Sequence, residues 1–246
     1  MVVELTNLDI FYYVLLIIYV IFLIFFSILF FRKYKEFNKR EYLSMGLMFF
    51  TIVTIYIFYI ISFFMILFIK NPINPIFYII STSLVMFFLL FWLITFGDLV
   101  LKNNKKIFLI TTIILLGALE IIYYSLYFLY GQSALILSIE RGLWVESTLF
   151  VILYITTLYG FFFLTAIIFL INAFKSDKKE IRLKGKILLI GLICIIIGMI
   201  FESIIPLVGL YFIFTRIFQI LGVILFYIGF TLPNWAKRIF NIEISD

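Results

Sequence analysis

Residues 10–42 read IFYYVLLIIYVIFLIFFSILFFRKYKEFNKREY, an apolar run without a single charge that ends in a dense basic segment. A helix that crosses a bilayer needs about 20 predominantly apolar residues, and residues 10–31 meet that length. The cations that follow, Arg32, Lys33, Lys35, Lys39 and Arg40, stay at a surface. The same alternation of apolar run and polar punctuation recurs along the chain. It predicts seven spans, at about 10–31, 43–69, 76–101, 107–130, 148–174, 187–205 and 210–232, with 233–246 as a short tail.

Composition agrees. The chain is 66% hydrophobic and 13% charged, where soluble domains carry about 25% charged residues. The expected fold is an all-α membrane protein, a single seven-transmembrane-helix bundle over residues 1–246, in contact with the lipid bilayer and with little chain outside it. Cys194 is the single cysteine and histidine is absent, so an intrachain disulfide, cysteine or histidine metal sites and histidine general bases are excluded. No metal, no cofactor and no catalytic residue is expected, because no nucleophile stands with a base. Glu4 and Asp9, with no Lys or Arg, precede the first span, which therefore reads as retained rather than cleaved. Pro72, Pro75, Gly131, Pro206, Gly209 and Pro233 mark helix ends. No proline lies within a span, so unbroken helices are expected, unlike the discontinuous helices of many secondary transporters.

All of the 19 basic residues except Lys70, Arg141 and Arg216 fall in alternate connections or in the tail. Basic loops stay in the cytoplasm, which puts the amino terminus outside and the carboxyl terminus inside a cell membrane. The net charge of +6 comes from these juxtamembrane clusters. Such clusters attract anionic headgroups, at about 1 kcal/mol per basic residue, and do not point to nucleic acid. Segments 32–40 and 175–186 are also the surfaces that a cytoplasmic partner protein would read.

Polar residues inside the spans are the candidate site. Glu202 and Arg216 lie at matching depth on either side of the turn around Pro206 and Gly209, with Gln219 at the edge of the Arg216 face. They form either an interhelical pair that fixes packing or part of a ligand site. Gly191 and Gly198 share the Glu202 face and mark it as a close-packing side. Glu120 lies about ten residues from the outer end of the fourth span, near mid-membrane, with Tyr124 and Tyr127 above it and Tyr123 beside them. An ionisable group at that depth is a functional candidate, and the alternative is a structural hydrogen-bond network. Asp98 precedes Lys102 by four residues, the spacing of a helical ion pair.

The outer connection GQSALILSIERGLWVES is unusually apolar. It predicts either an interfacial helix or two short strands, LILSI and LWVE, turning at residues 140–142, as a lid or as an anchor through Trp144. The tail NWAKRIFNIEISD reads as surface-lying, anchored by Trp235. In topology alone the chain resembles G-protein-coupled receptors and the seven-helix sensor regions that precede signalling kinases. It carries GDLVLK where Asp-Arg-Tyr would stand, and has no Asn-Pro-x-x-Tyr in the last span. A retinal protein would need a lysine there, and Arg216 stands instead. A receptor-like sensory module with an outward-facing polar and aromatic pocket is therefore expected. The alternatives are a small-solute or proton-linked carrier of 3+1+3 arrangement, suggested by the paired basic loops and by LFWLI against LFYIG, and a structural or assembly subunit.

The orientation is checked by labelling single cysteines in a chain whose Cys194 has been replaced. Cysteines at Asn38 and Ser176 should react only from the cytoplasmic side, and one at Gln132 only from outside. Labelling of Gln132 from inside alone would overturn the topology.

Overall fold

The computed structural model describes residues 5–101, 104–140, 143–204 and 211–240; the side chains of 140, 144, 200–204, 211, 212 and 234 are also outside the description. Hydrocarbon offers no partner to a backbone N–H or C=O, so the apolar runs close their hydrogen bonds within themselves as helices. These are α1 (Asn7–Phe37), α2 (Arg40–Ile69), α3 (Ile76–Ser83), α4 (Val85–Leu99), α5 (Lys105–Tyr130), α6 (Leu149–Phe174), α7 (Lys179–Ile204), α8 (Tyr211–Thr231) and the short α9 (Asn234–Ile239). Among the described residues, six helical stretches are long and apolar enough to cross a membrane, with Ile76–Leu99 counted as one. The chain is a multi-pass helical membrane protein. The expected sixth span, 187–205, falls on α7, which is not among the six; Lys179, Glu180, Arg182, Lys184 and Lys186 crowd its first turns.

Helices run past their apolar cores into the flanking charge. The basic segments 32–40 and 175–186 are largely helical, and only residues 38–39 and 175–178 lie outside helices there. Thr6 and Asp9 close a capping box on α1, which satisfies both backbone and carboxylate and explains why Asp9 is buried beside an apolar run. Asn38 ends α1 in the left-handed region at φ 51°, a conformation Asn tolerates better than most residues.

The third span, Ile76–Leu99, runs as one 24-residue helical stretch through Leu84, which keeps right-handed helical dihedrals (φ −62°, ψ −17°) and donates its N–H to the Ile80 carbonyl at 3.1 Å. Thr82 Oγ1 donates to the Tyr78 carbonyl at 3.0 Å and Ser83 Oγ to the Ile80 carbonyl at 2.9 Å. Both hydroxyls thus find their partners on the carbonyls of their own helix.

By packing, the chain divides into two compact units, Met1–Thr165 and Ala166–Asp246. In the first, Tyr13 stacks on Phe63 at 4.6 Å and Phe30 on Phe49 at 5.5 Å, joining α1 to α2. Ser27 Oγ donates to the Gly46 carbonyl at 2.8 Å, where α2 has no side chain in the way. Trp92 of α4 is buried against Phe162 of α6, ring centroids 5.1 Å apart, and its indole N–H donates to Thr165 Oγ1 at 2.8 Å. The outer connection takes the two-strand form: β1 (Ile136–Glu140) pairs antiparallel with β2 (Trp144–Ser147). Thr148 ties the loop base by donating from N to the Leu135 carbonyl at 3.1 Å and from Oγ1 to the Ala134 carbonyl at 2.9 Å. Leu143 is buried, and the Tyr13 hydroxyl reaches its carbonyl at 3.5 Å. The expected turn residues 141 and 142 and the Trp144 side chain lie outside the described residues.

In the second unit α7 and α8 meet through glycines seven residues apart, Gly191 and Gly198 against Gly222 and Gly229. A Cβ on Gly191 would stand 3.0 Å from the Phe226 backbone nitrogen, and one on Gly229 would stand 2.8 Å from that of Leu188. This is the close approach that small residues permit between membrane helices. The tail forms α9, whose Ala236 packs with Ile187 and Leu232, while Trp235 is exposed. Partial burial alone would raise the Glu180 carboxyl, but Lys184 at 3.1 Å and Lys237 at 3.4 Å outweigh it and hold it below its ordinary value. The turn residues Pro206 and Gly209 lie outside the described residues.

Gly191→Ala and Gly229→Ala should each cost about 1–3 kcal/mol by forcing backbone apart. Gly117→Ala, where a Cβ meets no atom within 4 Å, should gain up to about 1 kcal/mol of helix propensity. Thermal unfolding in detergent reads all three, and an equal loss at the three positions would contradict this packing.

Candidate functional site

Helix α5 buries only the stripe Thr112, Leu116 and Tyr123 and turns Ile113, Ile114 and Ile121 outward. Glu120 lies at the edge of that stripe and is half-buried. At about 1.5 Å per residue it sits about 15 Å from the Tyr130 end of the helix. Its carboxylate accepts a short hydrogen bond from the hydroxyl of Tyr154 on α6. Among the described residues Tyr154 is its single hydrogen-bond partner.

Tyr154 is buried, its ring 5.0 Å from that of Tyr123 and stacked with Phe150 at 6.5 Å. Tyr123 is buried and donates to the Ile79 carbonyl of α3 at 3.0 Å. Tyr124 stands edge-on to Tyr123 at 5.5 Å and shares a hydrogen bond with Ser83 Oγ at 2.8 Å. The group therefore joins α3, α5 and α6, and it meets α3 in its last turn, just before Leu84. Tyr127, expected in the same set, makes an edge contact with its neighbour Phe128 and no hydrogen bond to Glu120.

Of the expected residues, Glu120, Tyr123 and Tyr124 come together in the first unit. Arg216 and Gln219 come together in the second, Arg216 Nη1 donating to Gln219 Oε1 at 2.5 Å with both side chains buried. Gly198 leaves room for this pair, since a Cβ there would collide with Gln219 Cγ at 2.6 Å. The side chain of Glu202 lies outside the described residues, and with it the expected pairing to Arg216. Lys102, the expected partner of Asp98, also lies outside them. Asp98 receives Arg40 Nε at 3.6 Å and Lys105 Nζ at 3.3 Å, so one carboxylate at the end of α4 draws in the first residues of α2 and α5.

Tyr154, Phe150 and Ser83 are site residues that the linear reading missed. Ser83 had a signal in the run Ser81, Thr82, Ser83, unusual in an apolar span. Among the described residues no group of His, Cys, Asp and Glu is arranged to hold a metal ion. No known protein family, curated protein or solved structure matches the chain.

Glu120→Leu should destabilise by about 1–3 kcal/mol, because it strands the buried Tyr154 hydroxyl. Glu120→Gln keeps an acceptor and should cost less. Combined with Tyr154→Phe, the Leu variant should recover much of its loss, since no orphan then remains. Additive losses in thermal unfolding would show that the two residues do not interact.

Proposed function

We propose that the chain is a seven-span protein of the cell membrane, amino terminus outside and carboxyl terminus cytoplasmic, that works as a receptor-like sensory module and not as an enzyme. The basic segments at 32–40 and 175–186 support the orientation. The hydrogen-bonded helix α7, continuous through residue 204, supports a seventh span.

One observation carries the sensory reading. Tyr123 and Tyr124, beside Glu120, are bonded to α3 at Ile79 and Ser83, in its last turn before Leu84. The helical stretch continues through α4 for 15 residues, about 22 Å, and Asp98 near its end gathers Arg40 and Lys105. A ligand that engages Glu120 competes for the Tyr154 hydroxyl and shifts the tyrosines bonded to α3. One helical stretch carries that shift to the charge cluster at the cytoplasmic end, where the basic segments meet a partner. Ligand and partner then bias one element from opposite ends, which is what transmission requires.

Amide hydrogen exchange distinguishes a sensor from a structural subunit. Glu120→Gln should change exchange severalfold in peptides covering residues 85–100, as well as near the substitution. A change confined to α5 and the start of α6 would contradict transmission. Proton uptake into vesicles that depends on Glu120 would favour the carrier.

A further inference from the structure

Helix α7 opens with a run of cations, and at about 3.6 residues per turn Lys179, Arg182 and Lys186 share one face of it. All three are exposed. The faces on either side are occupied. On one, Gly185 meets the end of α6, where an added Cβ would stand 3.0 Å from Ala173 Cβ and 3.2 Å from Phe174 Cε1. On the other, Leu183 and Ile187 pack with Leu232 and with Ala236 of α9. The basic face is therefore a strip bordered by α6 and α9.

Its charge is not compensated by neighbouring acids. Glu180 lies on the α9 side and is taken by Lys184 and Lys237. Among the described residues, none of Lys179, Arg182 and Lys186 is in an ion pair. Arg182 Nη1 donates to the backbone carbonyls of Ser176 at 3.0 Å and of Asp177 at 3.4 Å. These neutral acceptors orient the guanidinium and leave its charge in place. Cations of the first unit are engaged differently, Arg40 and Lys105 on Asp98, and Lys33 over the rings of Phe37 and Tyr42. Further along the same face of α7 the cations give way to Leu189, Ile190 and Ile193, which are 37%, 53% and 46% exposed. From Lys186 to Ile193 is about 10 Å of helix.

We propose that this strip binds an anionic phospholipid, its phosphate on Arg182 and Lys186 and the start of an acyl chain along Leu189, Ile190 and Ile193; the proposal rests on α7 being the seventh span. The order of the residues selects the class. The planar fork of an arginine matches phosphate oxygens, and cations at the end of a span attract anionic headgroups. A soluble phosphate would use the cations and leave the apolar stretch idle. A zwitterionic lipid would use the apolar stretch but bring a cation of its own to the basic one. The exposed Trp235, on α9 two residues beyond the end of α8, stands at the headgroup level, where aromatic side chains settle.

The test uses the full chain in a non-ionic detergent, with dioleoylphosphatidylglycerol as probe and dioleoylphosphatidylcholine and glycerol phosphate as zwitterionic and soluble controls. Phosphatidylglycerol should raise the wild-type Tm saturably, and neither control should match it. Arg182→Gln combined with Lys186→Gln should weaken its apparent affinity by about tenfold or more. Arg32→Gln combined with Lys35→Gln removes the same charge from α1 and should leave the affinity nearly unchanged. Lys186→Gln alone should weaken it severalfold, which keeps the test open if loss of Arg182 prevents folding. An equal shift with either control, or equal weakening by the α1 pair, overturns the proposal. Cysteines at Ser176 and Val208, in a chain whose Cys194 has been replaced, separate this site from the reading beneath it. Labelling from opposite sides of the membrane, with no selective lipid binding, sinks the site alone. Labelling of both from the same side overturns the seventh span and the site with it.

Discussion

Water is absent from the hydrocarbon core, so every polar atom placed there needs a partner within the chain, and this requirement organises the molecule from backbone to site. Backbone groups meet it by forming helices. Hydroxyls meet it by donating to carbonyls of a neighbouring helix, as Ser27 does to Gly46 and Ser81 to Ile55. Each such bond fixes the register of two helices that apolar contact alone would let slide. The Glu120 group is the most demanding instance, because a carboxylate costs more to place in hydrocarbon than any hydroxyl. Its solution draws on three helices at once.

The two units settle close approach differently. In the first, aromatic side chains fill the space between helices, with Phe162 in contact with both Phe88 and Trp92. In the second, glycines remove the side chain and let backbones touch, with a Cβ on Gly222 only 3.0 Å from the Gly191 carbonyl oxygen. Buried Arg216 beside Gln219 is accommodated within that tight pair.

Much of the fold was legible in the sequence, since long apolar runs and proline and glycine punctuation report directly on helices in lipid. The two strands were legible as one of two alternatives, and the glycine face of Gly191 and Gly198 from its spacing of seven. Helix ends were less so, because Lys and Arg are good helix formers and carry α1 and α7 past the apolar boundary. At the site, periodicity placed Tyr123 and Tyr124 beside Glu120 but could not find Tyr154. Equal-depth counting from the ends of α5 and α6 leads about ten residues into α6, to Tyr159. Tyr154 is only five residues in, an offset permitted by the 3₁₀ turn at Gln132–Ala134 and the β1–β2 hairpin that separate the two helices.

The central claim is the hydrogen bond between Glu120 and Tyr154, and infrared spectroscopy reads it at the carboxyl group itself. Difference spectra of purified protein should contain a carboxyl or carboxylate stretching band that vanishes in Glu120→Gln and moves in frequency in Tyr154→Phe, because losing the donor changes the bond order of the C–O groups. A Glu120 band identical in wild type and Tyr154→Phe would contradict the account.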